Sequence, residues 1–172
     1  MDGIRDADKT KGWAGGASRR SGMSVRRTCP GRIIPGMVEI NIAYQGDLRC
    51  EAVHSPSGTV LMTDAPVDNM GKGESFSPTD LVATALGSCI LTILGILARR
   101  HGIDLSGSAV TVKKDMAASP VRRIGRLAVD VHVPAKLSDD QRKLLENAAH
   151  TCPVHKSLHP DVEMPITFHW AQ

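Results

Sequence analysis

Aromatic side chains are scarce in this chain of 172 residues. Two Phe, one Tyr and two Trp amount to 3% of the sequence, while hydrophobic residues amount to 41%. We therefore expect one domain whose core is built from Leu, Ile, Val, Ala and Met. The basic residues form no stripe with interleaved aromatics, which argues against nucleic acid as a partner.

Paired-cysteine motifs are also missing. The four cysteines, Cys29, Cys50, Cys89 and Cys152, include no CxxC pair, which argues against a zinc ribbon and against a thioredoxin motif. Residues 1–36 contain no apolar stretch of the kind found in a secretory signal. Thiols without such a signal are typical of a reducing compartment, so we expect a cytoplasmic protein.

The net charge of +3 is unevenly distributed along the chain. Residues 1–36 hold eight basic and three acidic residues, a net charge of +5, which leaves −2 for residues 37–172. The Gly, Ser and Arg content of the first segment predicts a disordered basic extension. A mitochondrial transit peptide is also rich in Arg, but Asp2, Asp6 and Asp8 argue against one. We predict one folded domain over residues 37–172.

Alternating apolar residues predict strands before and after a long apolar segment. In the first of them, Ile40, Ile42 and Tyr44 share one face, which indicates a half-buried strand. The predicted strands cover residues 37–45, 48–54, 59–64, 108–116, 123–134 and 162–170. A second helix is predicted over residues 138–152. This order predicts an α+β fold with mostly antiparallel sheets.

Residues 78–101 predict one long helix. Ser77 is a good N-cap, Pro78 fits the first helical position, Asp80 completes a capping box, and Gly102 is a C-cap glycine. A membrane span is the rival interpretation, but small and polar residues dilute the segment and the N-cap is a feature of soluble helices. Because almost no polar face remains, we expect sheets to wrap this helix in a homodimer.

Two cysteines lie in defined helical contexts. Cys89 lies near the middle of the long helix, and Cys152 lies at the end of the second helix, before Pro153. Both helices have apolar faces, so we expect them to pack together and bring the two thiols close. A single buried cysteine is commonly a small apolar side chain, whereas two on facing helices favour a functional role.

The motifs around these cysteines resemble one known family. SPTDLVATALGSC followed by a long apolar helix, and then AAHTCPVHKSL, are similar to segments of the OsmC/Ohr family of osmotically induced and organic hydroperoxide resistance proteins, in particular its small OsmC-like branch. The resemblance covers about residues 37–171. It implies an intertwined homodimer in which antiparallel sheets wrap the paired long helices.

The resemblance also implies an activity. Members of this family reduce organic hydroperoxides with a peroxidatic cysteine, which corresponds to Cys89, and a resolving cysteine, which corresponds to Cys152. An external thiol, either a dithiol or a small molecule, then reduces the disulfide. Neither a metal nor another cofactor is implied.

Attack on a peroxide needs a thiolate, and burial raises a thiol's pKa. Cys89 lies about three turns into its helix, too far for the helix dipole to help, so a cation must come from elsewhere. In peroxidase branches of the family this cation is an arginine from the early strands, held by a glutamate near the helix start. Thr79 stands at the position of that glutamate. Arg49 is the candidate cation here, and Glu74 is its candidate partner.

Two alternatives remain open. His150 and His155 flank Cys152 and, with Cys89, suggest a metal site, although their spacing matches no standard zinc ligand set. The second alternative concerns function. With Thr79 in place of the glutamate, the protein would keep the fold but bind an apolar ligand, or sense oxidation, with little turnover.

Overall fold

The structure is a computed structural model, and it describes residues 36–171. Within these residues the chain forms an α+β fold with two three-stranded sheets and one long helix. The predicted disordered extension over residues 1–36 lies outside the described residues, apart from Gly36. Its disorder and the boundary of the folded domain therefore stay predictions.

The first sheet is an antiparallel meander, as predicted. Its strands are β1 (Ile40–Gly46), β2 (Arg49–His54) and β3 (Thr59–Asp64), in the order β1-β2-β3. The prediction that the first strand is half-buried is wrong for the single chain. Ile42 is 68% exposed and Tyr44 is 67% exposed, because no other described element covers this face of the sheet.

The long helix α1 has the predicted bounds, Pro78–His101. The Ser77 side chain accepts a hydrogen bond from the Asp80 backbone N–H, and the Asp80 side chain accepts one from the Ser77 N–H, which completes the capping box. Gly102 ends the helix in the left-handed conformation, with φ of 64°. At Gly87 the helix lies so close to the second sheet that a Cβ would come within 2.9 Å of Val112.

The second sheet is mixed, which agrees with the prediction of mostly antiparallel sheets but differs from the wholly antiparallel sheets that the family resemblance implied. Its strands are β4 (Ala109–Ala117), β5 (Arg123–Val133) and β6 (Ile166–Trp170), with β5 in the centre. β4 runs antiparallel to β5, but β6 runs parallel to it. The helical segment between β5 and β6 carries the chain back along the sheet, so β6 enters in the same direction as β5.

The second predicted helix is divided in the structure. Helix α2 covers Asp139–Ala149, and a short helix α3 covers Pro153–Ser157. The prediction that one helix continues to Cys152 is therefore wrong. Pro153 can neither donate to an intrahelical hydrogen bond nor follow a helical residue easily, but it suits the first position of a new helix. Cys152 consequently lies at the N-cap of α3.

The core lies on one side of α1, which packs on β4, β5, α2 and α3. Leu86, Ile90 and Leu94 of the helix are fully buried there, together with Leu127 of β5 and Leu145 of α2. By length and composition alone α1 could cross a membrane, with a mean hydropathy of 2.3 over its most apolar window.

The opposite side of α1 is open to solvent within the single chain. Four small residues lie exposed along it: Thr84, Ser88, Thr92 and Gly95. The prediction that the helix is covered on all sides is therefore not met by one copy of the chain.

Candidate active site

Cys89 and Cys152 come together where α1 packs against α2 and α3. Cys152 is fully buried, whereas Cys89 is partly buried and packs against the edge of the same core. Both are free thiols in the same core cluster, and they are close enough for Cys89 to contribute to the pKa shift of Cys152. The structure thus joins two thiols that lie far apart in the chain and leaves only Cys89 open to a solute.

The environment of Cys152 keeps its thiol protonated. Burial raises the pKa of Cys152 above its ordinary value, and hydrogen bonding with Cys89 raises it further. The backbone N–H groups of Val154 and His155 act in the opposite direction without reversing the shift. A buried, protonated thiol beside a more accessible one is suited to react second.

Arg49 and Glu74, the predicted cation and its partner, are in direct contact. Nη2 of Arg49 forms an ion pair with Oε2 of Glu74. A second carboxylate, Asp64, lies 3.5 Å from the same nitrogen and is 1% exposed. Sequence reasoning missed Asp64. Its place at the end of β3, directly across the sheet from Arg49, was a signal that could have revealed the pair.

The single chain does not bring Arg49 to Cys89. Glu74 lines an open groove of about 600 Å³ together with Asp80 and Thr84 of α1. Cys89 follows Asp80 by nine residues, about two and a half helical turns, and so lies on the opposite side of α1. Within one copy, the helix therefore separates the arginine from the two thiols.

Thr79, which stands at the position of the family's glutamate, contacts a lysine instead of an arginine. Lys114 of β4 donates to Thr79 Oγ1 at 2.7 Å and to Asp80 Oδ1 at 2.6 Å. The pKa of Asp80 is lowered despite its partial burial, because Lys114 and Ser77 both donate to its carboxylate. Lys114 thus connects the start of α1 to the second sheet through hydrogen bonds. Nothing in the sequence indicated this contact.

The histidines near Cys152 do not form a metal site in the structure. His150 and His155 contact each other edge to face at 5.8 Å between ring centroids. The pKa of His155 is lowered, chiefly by burial and then by its cationic neighbours, so this ring is neutral near pH 7. Within residues 36–171 no three His, Cys, Asp or Glu side chains are grouped so that they could hold a metal ion.

Comparisons with known proteins place this site in a family. The sequence profile described as OsmC-like protein matches residues 71–167. A solved structure from Psychrobacter arcticus 273-4, provisionally named an osmotic stress induced and detoxification response protein, is 49% identical, covers 78% of this chain and 97% of its own, and has a TM-score of 0.74. No curated protein matches the chain.

More distant structures share the fold. The organic hydroperoxide resistance protein OsmC from Legionella pneumophila is 18% identical, with a TM-score of 0.64 over 77% of this chain and 96% of that one. An OsmC like protein from Mycoplasma pneumoniae is 13% identical, with a TM-score of 0.69 over 81% and 100%. Since the profile spans more than half of the chain and one relative is 49% identical over most of it, the chain belongs to the OsmC-like family.

Proposed function

We propose that the protein is a thiol-dependent peroxidase that reduces organic hydroperoxides. The observation that supports this most strongly is the proximity of a partly exposed Cys89 to a buried, protonated Cys152 in one core cluster. The Legionella pneumophila relative carries the name of organic hydroperoxide resistance, which agrees with such an activity.

The reaction begins at Cys89. Its thiolate attacks one peroxide oxygen, so an S–O bond forms, the O–O bond breaks, and the alkoxide leaves as the alcohol after taking up a proton. Cys89 is oxidised to the sulfenic acid. Cys152 then attacks the Cys89 sulfur, the S–S bond forms, and hydroxide leaves as water with the proton that Cys152 gives up.

An external thiol completes the cycle. A dithiol or two molecules of a small thiol reduce the Cys89–Cys152 disulfide by exchange, and their own sulfurs are oxidised to a disulfide. The two cysteines supply both electrons that the peroxide accepts, so the cycle needs no metal or organic cofactor. We place it in the cytoplasm, where such reductants keep thiols reduced.

Apolar surroundings favour alkyl hydroperoxides as substrates. Val82 precedes Cys89 by seven residues, about two turns, and so lies on the same side of α1. Val154 follows Cys152, and both valines are partly buried against the core. An alkyl group gains from contact with such side chains, whereas hydrogen peroxide has no apolar part to bury.

We also propose that the active form is a homodimer. The apolar face of the first sheet, with Ile40, Ile42 and Tyr44, is more than half exposed in one copy, and the small side chains along α1 face solvent. Contiguous apolar surface of this kind marks an interaction site. A second copy is the occupant that the family resemblance implies.

The second copy would also supply the cation. Because α1 separates Arg49 from Cys89 within one chain, Arg49 of one protomer is proposed to approach Cys89 of the other. A guanidinium there would favour the thiolate that attacks the peroxide. The site is therefore incomplete in a single chain.

Mixing the reduced protein with cumene hydroperoxide tests the peroxidase. We expect two thiols, Cys89 and Cys152, to disappear for each hydroperoxide consumed, and cumyl alcohol to appear in equal amount. Cys50 lies on β2, apart from the pair, so a Cys50→Ser variant serves as the matched control and should react at an unchanged rate. Thiols that survive excess hydroperoxide would refute the proposal.

A non-catalytic role is the second candidate, and the contact of Thr79 with Lys114 favours it. No carboxylate stands at that position to hold an arginine, so oxidation of Cys89 could be slow. In that case the protein would bind an apolar ligand or sense oxidation. One stoichiometric oxidation without sustained turnover in the presence of dithiothreitol would support this second role over the enzyme.

A further inference from the structure

Asp64 is the most completely buried charged side chain near the proposed site. It is the last residue of β3 and lies directly across the sheet from Arg49, the first residue of β2. Its side chain is 1% exposed, compared with 30% for Arg49 and 64% for Glu74. A carboxylate held so far from water is costly unless it is paired and hydrogen-bonded.

The contacts of Asp64 reach both the cation and the loop that carries Glu74. Oδ2 of Asp64 lies 3.5 Å from Nη2 of Arg49 and accepts the Glu74 backbone N–H at 2.8 Å. The Asp64 backbone N–H donates to the Phe76 carbonyl at 3.1 Å. One oxygen of Asp64 thus joins the guanidinium to the loop before α1.

The electrostatics agree with a charged Asp64. Its pKa is lowered, first by the Glu74 backbone N–H and further by the Lys72 N–H and by Arg49, although burial alone would raise it. Both carboxylate contacts of Arg49 run through Nη2, and its Nε is buried without a hydrogen-bond partner among residues 36–171. The two carboxylates therefore hold the guanidinium through one nitrogen, Nη2.

We propose that Asp64 is the positioning residue that holds Arg49 in place for Cys89 of the second copy, with Glu74 as an exchangeable partner at the surface. This inference rests on the proposed peroxidase and on Arg49 as its cation. It explains how Thr79 can replace the family's glutamate: the carboxylate that fixes the arginine comes from the end of β3. Asp64 touches neither substrate nor sulfur and acts only through Arg49.

The test is the pH dependence of Cys89 alkylation by iodoacetamide in the full-length reduced protein, followed by peptide mass spectrometry. Arg49→Met should move the midpoint of this profile upward by about 1 pH unit or more, because the thiolate loses its cation. Asp64→Asn should move it upward by a comparable amount, and Glu74→Gln by less. Lys72→Met is the matched control, expected to leave the profile unchanged: it removes an exposed cation that pairs with Asp47 and keeps the backbone N–H that faces Asp64.

The direction in which Asp64→Asn moves the midpoint of the Cys89 alkylation profile distinguishes a positioning role for Asp64 from a direct effect of its charge. If Asp64 acted only as a nearby negative charge, its removal would favour the thiolate and move the midpoint downward. Positioning predicts the opposite direction. It also predicts that Asp64→Asn adds nothing in an Arg49→Met background, because both changes act on the same guanidinium. A downward shift, no shift, or full additivity would overturn the proposal.

Two further measurements keep the result interpretable. Asp64→Glu retains the charge and should recover part of the normal profile, and circular dichroism identifies any variant that does not fold. Steady-state reduction of cumene hydroperoxide by the wild type tests the underlying function separately. If the wild type is an active peroxidase but Asp64→Asn leaves the pH profile of Cys89 alkylation unchanged, only the positioning role of Asp64 is refuted. If Arg49→Met also leaves this profile unchanged, both the role of Arg49 as the cation and its positioning by Asp64 are refuted.

Discussion

The two sheets of this chain differ in how far the chain itself covers them. The inner face of the second sheet packs against α1 through β4 and β5, and Leu127, Val129, Val131 and Val133 of β5 are at most 2% exposed. The sheet β1–β3 has no such cover, and its apolar side chains remain open to solvent. One region completes its core within a single chain, and the other requires a further surface.

The residues of the proposed mechanism are distributed over both regions. The two thiols lie in the covered region, and the arginine that would activate one of them lies at the end of the uncovered sheet. The covered region therefore buries its core and brings the sulfurs together within one chain. Under the proposed mechanism, efficient attack on a peroxide depends on association, because a second copy supplies the cation.

The largest effects should follow changes to the sulfurs themselves. Cys89→Ser should lower the turnover of cumene hydroperoxide by at least about 1,000-fold, because an alcohol is a far weaker nucleophile than a thiolate. Cys152→Ser should still reduce one equivalent and accumulate a sulfenic acid at Cys89. Coupled peroxide consumption and dimedone labelling measure the two outcomes.

Arg49→Met measures what the cation of the open sheet adds to the thiols of the covered region. It should slow the reaction less than Cys89→Ser does, because it removes the activator and leaves the nucleophile in place. Equal losses for both variants would mean that the covered region cannot carry out the sulfur chemistry alone. Unchanged turnover in Cys89→Ser would remove this cysteine from the mechanism.

The next largest effect concerns stability. Leu86→Ala in the covered core should lower the free energy of unfolding by about 2–5 kcal/mol, since it leaves a cavity among fully buried neighbours. The matched change Ile42→Ala on the open sheet should cost less than about 0.5 kcal/mol at dilutions where the protein is monomeric. Urea unfolding at two protein concentrations measures both.

The control for Leu86→Ala and Ile42→Ala is how their free energies of unfolding depend on protein concentration. If a second copy covers the first sheet, Ile42→Ala should become costly at high concentration, and sedimentation should show weaker association. If Ile42→Ala lowers the free energy of unfolding as much as Leu86→Ala at every protein concentration, the single chain already buries Ile42, contrary to its 68% exposure.

The sequence predicted those features that depend on local signals. Ser77, Asp80 and Gly102 gave the bounds of α1, because capping residues act within one turn. Period-two alternation predicted the strand β5, since successive side chains point to opposite faces of a strand. Such signals need no knowledge of the rest of the chain.

Features that depend on distant contacts were missed. The exposure of β1 reflects what lies against the sheet, and alternation alone cannot reveal that. Asp64 is buried because the loop after β3 folds back over it and donates the Glu74 N–H, a contact that no pattern encodes. The parallel pairing of β6 likewise depends on where the two short helices return the chain.

An effect of intermediate size concerns the pH dependence of the second chemical step. Because the pKa of Cys152 is raised, its thiolate fraction should grow about tenfold per pH unit between pH 6 and 8, and the rate of disulfide formation should rise with it. Rapid-mixing measurements after oxidation by one equivalent of hydroperoxide would give this rate. A flat profile would mean that Cys152 is ionised already at pH 6.

The raised pKa of Cys152 also makes the stability of the folded protein depend on pH. A raised folded pKa means that the folded state holds the Cys152 proton more tightly than the unfolded state does. The free energy of unfolding of the reduced protein should therefore be highest below the unfolded thiol's value of about 8.5 and decrease as the pH rises above it. Cys152→Ser should weaken this decrease.

The smallest predicted effect compares the two helix caps, which lie in differently covered surroundings. Ser77 and Ser138 both complete capping boxes, but Ser77 is 2% exposed and Ser138 is exposed. Ser77→Ala should cost about 1–2 kcal/mol, since it removes a buried hydroxyl that accepts from the Asp80 N–H and donates to Asp80 Oδ2 at 2.7 Å. Ser138→Ala should cost only about 0.5–1 kcal/mol, because water can replace the exposed hydroxyl. Urea unfolding of both variants measures the difference. Equal costs would mean that burial at the start of α1 adds nothing to the cap.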